Sequence, residues 1–237
     1  LEQVRFKVSE WTSDPASILK EIQTSFGNSR VVVRSSAGTE DGLKESLAGR
    51  FESVLDVPAG RDDDLREAIE RVLGSYTRGG RAPHNLDEVL VQPHISDLAA
   101  AGVLLTRDME TGAPYNVLNI DRHSGRSDSV TSGADARIDT VYISPNADFL
   151  LLEPDVRACL ALGQELKELT HLDALDIEFG IGQEGTMYLF QVRPMARSCG
   201  KFELADNDLD EELNRVREFL DIHLRPHPTL AGGTTVR

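Results

Sequence analysis

The sequence predicts an α+β fold in which helices flank a strand-rich middle. Segments towards both ends carry apolar residues at the three-to-four-residue spacing of amphipathic helices. Between them, short runs rich in β-branched residues alternate with Gly, Pro and Asp, a pattern typical of antiparallel strands and their turns. The 237 residues, of which 40% are hydrophobic, allow a sizeable core in one large or two small domains.

The first part of the chain predicts a strand, a helix and a second strand. Residues 4–8 alternate between apolar and polar side chains, as a short strand does. Asp14 opens a helix that ends at the Gly-Asn pair of residues 27–28. The apolar stripe of this helix is Ile18, Leu19, Ile22 and Phe26. The three valines of residues 31–33 predict a buried strand, which runs into a polar, turn-rich stretch over residues 34–42.

A helix and four strands are predicted next. Three aspartates at residues 62–64 mark a helix start, where the helix dipole favours anions. The apolar stripe of that helix is Leu65, Ala68, Ile69, Val72 and Leu73. Four strand-forming runs follow, at residues 89–95, 102–106, 115–120 and 139–144. Residues 108–112 predict a hairpin turn, and residues 123–136 predict a polar loop.

The last third predicts a helix, a β-hairpin and a final helix. Pro154 begins a helix with the apolar residues Val156, Cys159, Leu160, Leu166 and Leu169. Two alternating runs, residues 175–181 and 187–192, are joined by a Gly-bounded turn and predict the hairpin. The final helix, with Leu209, Leu213, Val216 and Leu220, resembles a linker to a further module. The missing initiator Met and the abrupt end at residues 232–237 predict a piece of a longer protein.

Composition excludes several classes of function. The 25 Lys and Arg against 40 Asp and Glu give a net charge of −15. Because phosphate contacts need a basic surface, we expect neither nucleic acid nor an anionic membrane as a partner. The sequence has no membrane-spanning apolar run and no signal-peptide pattern, so a cytoplasmic location is expected. Cys159 and Cys199 fit no disulfide framework or metal spacing, and we expect packing or surface roles.

The hairpin of residues 175–192 is the most informative segment for chemistry. With Gln183 and Glu184 at the centre of the turn, Asp176 would face Gln191 across the two strands. Because side chains alternate between faces, one face would be apolar. Its members would be Leu175, Ile177, Phe179, Tyr188, Phe190 and Val192. The opposite face would carry Asp176, Glu178, Gln191 and Arg193, with Leu189 as its one apolar member.

The polar face of this hairpin has two interpretations. Two carboxylates two residues apart on a strand point the same way and can hold Mg²⁺ between them, and Gln191 can reach the same oxygens. Arg193 can then pair with a phosphate in a forked geometry. The alternative is an ordinary solvated face, since polar faces and cross-strand Asp–Arg pairs are common in antiparallel sheets. The pattern alone favours neither interpretation.

The stretch after the three valines is a second candidate for phosphate binding. Arg34, Ser35 and Ser36 offer a cation, hydroxyls and turn amides, and two nearby glycines permit close backbone approach. Arg50 could also reach a phosphate, or it could be an ordinary surface residue. Since Ser/Gly turns after strands are common, each of these signals is weak when taken alone.

Five motifs occur in order and carry a family resemblance. They are Arg34-Ser35-Ser36-Ala37-x-x-Glu40-Asp41, Ser46-x-Ala48-Gly49-x-x-Glu52, Gly102-Val103-x-x-Thr106-Arg107-Asp108-x-x-Thr111-Gly112, Asp176-x-Glu178-Phe179 and Gln191-x-Arg193-Pro194. Together they resemble the nucleotide-binding domain of the phosphoenolpyruvate synthase and pyruvate phosphate dikinase family, an ATP-grasp fold. The resemblance covers about residues 31–195. A short N-terminal match, Val4-x-Phe6-x-Val8-Ser9-Glu10-Trp11, is similar to the subgroup that contains a glutamine kinase.

The resemblance implies a two-lobed domain, built mainly of antiparallel sheets, that clamps Mg²⁺ and ATP between its lobes. It divides the chain into a first lobe over residues 1–86, a second lobe over 87–198, and a linker helix with the start of a missing domain over 199–237. In the family, the D-x-E pair and the glutamine of Q-x-R bind the metal and phosphates. That implies a metal site made of Asp176, Glu178 and Gln191.

The resemblance also implies residues that contact the nucleotide. The arginines of the R-S-S-A and Q-x-R-P motifs contact phosphates, which implies Arg34, with Ser35 beside it, and Arg193. The strand before the G-V-x-x-T-R motif holds adenine in the family. That implies a set of four residues near the base: Gln92, Pro93, His94 and Ile95.

The chain departs from the family pattern in three places. The loop E-x-x-x-G-L-G-E is here residues 121–128, with both acids shortened to Asp and one glycine replaced, and Asp121 remains the expected nucleotide contact. The family's N-terminal Gly/Lys segment, with a phosphate-binding lysine, is absent. The swivelling domain with the phosphohistidine is also missing, since none of the six histidines lies in a family-like acceptor motif.

The sequence therefore predicts the ATP-binding part of a multidomain phosphotransferase. In the complete enzyme, Mg-ATP would phosphorylate a histidine on the swivelling domain, which would pass the phosphoryl group to a small-molecule acceptor. The cation and arginines would neutralise charge on the transferring group. This chain alone is expected to bind ATP without turnover. Two alternatives stay open, a non-catalytic nucleotide sensor and an acidic scaffold, and neither the acceptor nor the oligomeric state is readable.

Overall fold

Two antiparallel sheets with flanking helices make up the fold. The computed structural model describes residues 1–36, 52–77, 87–127, 137–195, 206–226 and 233–235. Within these ranges there is a four-stranded sheet, a five-stranded sheet and a two-stranded ribbon. The predicted α+β class with mainly antiparallel sheets is therefore confirmed.

The first sheet is formed by the N-terminal part of the chain. Its strands are β1 (Val4–Lys7), β2 (Arg30–Ser36), β3 (Ser53–Pro58) and β4 (Glu88–Pro93). They lie in the order β1-β4-β2-β3, and all neighbours are antiparallel. The helices of this region are α1 (Val8–Ser13), α2 (Pro15–Phe26) and α3 (Asp62–Ser75).

The core of the first sheet lies between its strands and helices α2 and α3. The predicted apolar stripes of both helices pack with Val31, Val33, Val89 and Val91 of the two central strands. The carboxylate of Asp14 accepts a hydrogen bond from the Ser17 amide at 3.1 Å and so caps the start of α2. Both helices were predicted from their apolar spacing, and both are confirmed.

The second sheet follows, and one helix covers one of its faces. Its strands are β5 (Leu98–Leu105), β6 (Asn116–Asp121), β7 (Asp139–Ile143), β8 (Leu175–Gly182) and β9 (Met187–Pro194). They lie in the order β7-β6-β5-β8-β9 and are all antiparallel. Helix α4 (Pro154–Thr170) packs Val156, Cys159 and Leu166 against this sheet. Its predicted stripe is confirmed except for Leu169, which is exposed.

The chain then continues into a long helix. Helix α5 (Asp206–His223) is followed by the ribbon strands β10 (Leu224–Pro226) and β11 (Gly233–Thr235). The predicted final helix is therefore present, and its role as a linker stays a prediction. Among the described helices, none combines the length and apolar character that crossing a membrane requires.

Two residues of the G-V-x-x-T-R motif, Gly102 and Thr106, hold strands of the second sheet together. A Cβ atom on Gly102 would lie 2.2 Å from the backbone oxygen of Asn119, so only glycine allows β5 and β6 to approach this closely. The buried hydroxyl of Thr106 donates to the Asp173 carbonyl at 2.7 Å and accepts from the Leu175 amide at 2.8 Å. These bonds fix the start of β8, the strand that carries the D-x-E pair.

The end of the same motif builds the predicted hairpin turn between β5 and β6. Asp108 accepts hydrogen bonds from both the amide and the hydroxyl of Thr111, at 2.7 and 2.5 Å. These bonds lower the pKa of the Asp108 carboxyl. Gly112 has a φ of 72°, which a side chain would disfavour. Turn formation therefore accounts for the T-R-D-x-x-T-G part of the resemblance.

Two local expectations were wrong, and one strand was not predicted. Val8 begins helix α1 instead of ending β1. Arg34, Ser35 and Ser36 continue strand β2, because they pair with β3 and β4, and do not form a turn. Strand β3 was not predicted. Strand β4 belongs to the first sheet, and the chain enters the second sheet at Leu98.

Candidate functional site

The β8–β9 hairpin has a different register from the one predicted. Asp176 pairs with Arg193, and Glu178 pairs with Gln191. The register then shifts, because Phe179 pairs with Leu189, which makes Phe190 an extra residue in β9. The pairing of Asp176 with Gln191 was therefore wrong by two residues. The four polar side chains nevertheless share one face, because a register difference of two residues leaves them on the face that was expected.

The register shift also exchanges three side chains between the faces of the hairpin. Phe190 and Tyr188 pack with Ile95, Leu98 and Ala101, away from the α4 core. Leu189 packs instead against that core. The prediction had these three residues the other way round, because it assumed uninterrupted alternation. The ring of Phe190 packs closely on Gly180, where a Cβ atom would lie 2.7 Å from its Cζ.

Asp176 and Arg193 form a close pair on the polar face. The Arg193 Nε lies 2.8 Å from Asp176 Oδ2, and both side chains are largely buried. The other carboxylate oxygen, Asp176 Oδ1, is buried and accepts no hydrogen bond from any described residue. A buried carboxylate oxygen without a partner is costly, and a bound cation would remove that cost.

Arg34 connects the two sheets at this face. Its Nη1 lies 3.5 Å from Glu178 Oε2, 3.4 Å from Gln191 Oε1 and 3.4 Å from the carbonyl oxygen of Phe190. Only 8% of Arg34 is exposed. A strand of the first sheet therefore delivers a buried cation to the acidic face of the second sheet.

A cavity of about 280 Å³ lies beside this contact between the sheets. Its lining includes four of the predicted site residues: Arg34, Ser35, Gln92 and Gln191. Asp176, Glu178 and Arg193 are not part of the lining and lie next to it on the face that carries Gln191. The predicted phosphate and metal residues are thus brought together.

The four residues predicted near adenine are only partly brought together. Gln92 is buried and lines the cavity, where its Nε2 lies 3.4 Å from Gln3 Oε1. Pro93, His94 and Ile95 do not line it. The His94 Nδ1 lies 3.3 Å from Asp56 Oδ1 in β3.

The carboxylate of Asp121 accepts hydrogen bonds from residues of its own loop. Its Oδ1 accepts hydrogen bonds from the amides of His123 and Ser124 at 2.8 and 3.1 Å, and its Oδ2 accepts from the Ser124 hydroxyl. The next residue, Arg122, pairs with Asp139, Glu153 and Asp155 at 3.0, 3.0 and 2.6 Å. The loop is thereby tied to β7 and to the start of α4. The residues that continue this loop, 128–136, lie outside the described residues.

The remaining predicted features have simpler outcomes. Cys159 is fully buried in the α4 core, and desolvation raises the pKa of its thiol to about 12, so the predicted packing role is confirmed. Cys199, Arg50 and the rest of the S-x-A-G motif as far as residue 51 lie outside the described residues.

Two contributors to the site were not predicted. The Phe190 carbonyl reaches Arg34 because of the register shift, which no local pattern announces. Tyr76 is fully buried; its hydroxyl accepts from the Ser36 amide at 3.1 Å and donates to the Glu88 carbonyl at 2.5 Å. It thus holds the end of β2 against β4. Its position four residues after Val72, in line with the buried face of α3 and directly after the end of that helix, is the signal that could have identified it.

The donor set fits a magnesium ion. Asp176, Glu178 and Gln191 offer two carboxylates and an amide oxygen, the hard oxygen ligands that Mg²⁺ prefers. The unpartnered Asp176 Oδ1 is the observation that supports the fit. Within the described ranges, no cluster of three or more His, Cys, Asp or Glu is arranged to hold a metal. A site here would therefore take its third protein ligand from the Gln191 amide.

A comparison with protein families agrees with this geometry. The family described as the pyruvate phosphate dikinase AMP/ATP-binding domain matches residues 10–157, well over half of the chain. The chain belongs to this family. The resemblance stated from the five motifs is therefore confirmed, and the chain is a nucleotide-binding domain by family. The match ends before β8 and β9, so the roles of the hairpin residues rest on the structure and on the motif resemblance.

Several known proteins are similar to parts of this chain. The prodigiosin synthesizing transferase PigC of Serratia marcescens is 33% identical over 111 residues, which cover 44% of this chain and 12% of that protein. D-alanyl-alanine synthetase A of Vibrio cholerae has a TM-score of 0.41 at 16% identity, covering 90% of this chain and 59% of its own. The ATP citrate lyase of Methanothrix soehngenii has a TM-score of 0.45 at 14% identity, covering 80% and 43%. The chain spans only part of each of these proteins.

Proposed function

We propose that this chain is the ATP-binding domain of a phosphotransferase in which Mg-ATP phosphorylates a histidine on a separate domain. The phosphoryl group would then pass to a small-molecule acceptor. The observation that carries the proposal is the meeting of Arg34 from the first sheet with Glu178 and Gln191 from the second. A chain of an AMP/ATP-binding family has here a cation, two carboxylates and an amide beside one cavity.

The acidic residues of the site would hold the metal. Asp176 offers its unpartnered Oδ1, and Glu178 lies two residues along the same strand. Gln191, the cross-strand neighbour of Glu178, would supply its amide oxygen. When bound, Mg²⁺ would neutralise part of the charge on the triphosphate.

The arginines would bind the phosphates. Arg34 and Arg193 approach the polar face from different sheets, so together they can contact a triphosphate from two directions. Both are largely buried, and a charge in such a site acts more strongly than one in water. Ser35 and Gln92 line the cavity and would add neutral hydrogen bonds.

The swivelling histidine and the acceptor are the finer parts of this proposal. Family membership supports them through the family's name, which refers to a dikinase. The similarity to a part of PigC, a transferase by name, is compatible with a group-transfer reaction in a longer protein. Neither similarity identifies the acceptor.

One observation favours a second candidate, a nucleotide sensor without chemistry. The Asp121 carboxylate is occupied by the amides and hydroxyl of its own loop and so is turned to a structural use. Metal-dependent turnover of ATP by a polypeptide that contains this chain and its natural continuation separates the two candidates. Turnover supports the phosphotransferase, whereas ATP binding without turnover supports the sensor.

Isothermal titration calorimetry with a non-hydrolysable ATP analogue and Mg²⁺ tests the site itself. We expect Asp176→Asn and Glu178→Gln each to weaken binding by about 100-fold, roughly 2.7 kcal/mol. Glu184→Gln is the matched control, because Glu184 lies exposed in the turn of the same hairpin. Unchanged affinity in both site variants would instead favour the acidic scaffold, in which the polar face is merely solvated.

A further inference from the structure

Each carboxylate of the proposed metal site already faces an arginine. Asp176 Oδ2 lies 2.8 Å from the Nε of Arg193, and Glu178 Oε2 lies 3.5 Å from Nη1 of Arg34. Both carboxylates therefore have an arginine as an ion-pair partner on this face.

The surroundings of Arg34 resemble those of a bound cation. Its Nη1 is within 3.5 Å of three oxygens, from the Glu178 carboxylate, the Gln191 amide and the Phe190 carbonyl. The first two are oxygens that the metal would use. The guanidinium group and the metal therefore draw on the same donors and, being of like charge, repel each other at this range.

We infer that Arg34 takes the place of the metal in the nucleotide-free site and that metal alone binds weakly for this reason. The inference rests on the proposed function and concerns the regulation of that same site. A triphosphate offers Arg34 an anionic partner other than Glu178, so that the guanidinium can leave Glu178 and Gln191 to the metal. Metal and nucleotide then each favour the binding of the other, and the coupling is reciprocal.

Because Arg34 is buried, we expect its guanidinium group to move from one anionic partner to another and not into water. Only 9% of its side chain is exposed, and a buried guanidinium without an anion nearby is costly. Its release from Glu178 therefore requires that the guanidinium keep an anion nearby. The phosphates of a nucleotide in the adjoining cavity meet that condition, since Arg34 lines it.

Binding of Mn²⁺ in the absence of nucleotide tests the inference. Electron paramagnetic resonance measures free Mn²⁺ during titration of the unchanged 237-residue chain, of Arg34→Gln and of the control Arg61→Gln. Arg61 is an exposed arginine that pairs with Asp64 at the start of α3. We expect Arg34→Gln to bind Mn²⁺ at least about tenfold more tightly than the unchanged chain, and Arg61→Gln to match the unchanged chain.

The sign of the effect reverses when nucleotide is present. In calorimetry with Mg²⁺ and the ATP analogue, Arg34→Gln is expected to bind the analogue about tenfold more weakly, because the phosphates lose a cation. Tighter metal together with weaker nucleotide separates competition from general damage to the site. If Arg34→Gln binds Mn²⁺ no more tightly than Arg61→Gln, the inference is wrong.

The unchanged chain gives a second measurement that does not depend on the folding of a variant. We expect it to bind Mn²⁺ alone with a dissociation constant of about 1 mM or weaker, equivalent to roughly 4.1 kcal/mol. Binding at about 10 μM or tighter would overturn the inference, whatever the variant does. A chain that binds no ATP analogue contradicts the proposed function, whereas the two Mn²⁺ titrations still decide the role of Arg34.

Discussion

The two sheets hold their cores together in different ways. The first sheet packs large side chains, such as Phe6, Trp11 and Phe26, between its strands and helices α2 and α3. Among the described helices, α4 packs against the core of the second sheet, and elements of this sheet approach closely at glycines. A Cβ atom at Gly102 or Gly163 would lie within 3.0 Å of a neighbouring atom.

The difference matches what each sheet gives to the site. The first sheet provides one buried arginine on a central strand, β2. The second provides both carboxylates and the amide, all of which depend on the position of β8 and β9. Close glycine contacts and the buried hydroxyl of Thr106 hold β8 in register with β5. The second sheet, which provides more of the proposed ligands, therefore tolerates less increase in side-chain size at these close contacts.

The largest expected effect is at Gly102 in the second sheet. In Gly102→Ala the new methyl group would meet the backbone oxygen of Asn119, which cannot move without breaking the pairing of β5 with β6. We expect a loss of about 3 kcal/mol in the free energy of unfolding, measured by urea denaturation. A loss below about 0.5 kcal/mol would show that the second sheet tolerates an added methyl group at this position. That result would contradict the proposed difference between the two sheets.

Two glycines in helices give a matched pair of intermediate size. In Gly163→Ala of α4 the new Cβ would lie 2.9 Å from Cδ2 of Leu104, a fully buried side chain, so overpacking should outweigh the gain in helix propensity. We expect a net loss of about 1 kcal/mol. In Gly74→Ala of α3 the Cβ would meet nothing within 4 Å, and we expect a gain of about 0.5–1 kcal/mol.

Thermal and urea unfolding of both variants check this pair. The opposite signs are the test, because each substitution adds the same methyl group to a helix. Two gains of equal size would mean that the contact of α4 with the second sheet is loose, and the proposed difference between the sheets would disappear.

The smallest expected effect is at an exposed ion pair of the first sheet. Asp56 accepts hydrogen bonds from Nε and Nη2 of Arg30 at 2.6 and 2.5 Å, and these bonds lower its pKa from 3.8 to about 2. A lowered pKa stabilises the fold above the unfolded value, and that stabilisation is lost as the pH falls from 3.8 towards 2. Because the pair is exposed, we expect Asp56→Asn to cost only about 0.5 kcal/mol at neutral pH.

Urea denaturation at pH 7 and at pH 2 measures this contribution. The difference between Asp56→Asn and the unchanged chain should shrink at the lower pH. Asparagine tolerates the positive φ of 59° at this position, so the substitution removes the charge without adding backbone strain. A difference that persists at pH 2 would show that something other than the charge of Asp56 is lost.

Two kinds of feature are predicted well from the sequence. They are the helices with a strong apolar periodicity and the shared position of the polar motif residues. Helices α2, α3 and α4 follow from stripes such as Leu65, Ala68 and Ile69, because burial of one face demands that spacing. The polar residues of the D-x-E and Q-x-R motifs lie on one face as predicted. Residues two apart on a strand share a face, and the observed register differs from the expected one by an even number of residues.

Features that depend on contacts between distant segments could not be predicted. The extra residue Phe190 shifts the register of β9, and nothing in the local alternation marks it. Strand β3 pairs with β2 through residues of mixed polarity, so its pattern is not that of a buried strand. Asp121 resembles a ligand in sequence, yet its carboxylate is satisfied by the amides of residues that follow it.

The extra residue at Phe190 has a consequence beyond the site. In the described part of the chain β9 is the outermost strand of its sheet, so one side of its backbone has no strand beside it. Straight outer strands can join those of other molecules and start aggregates. A bulge bends and twists the strand, which spoils such joining. The irregularity that brings the Phe190 carbonyl to Arg34 thus also makes this edge of the sheet a poorer template for pairing with another strand.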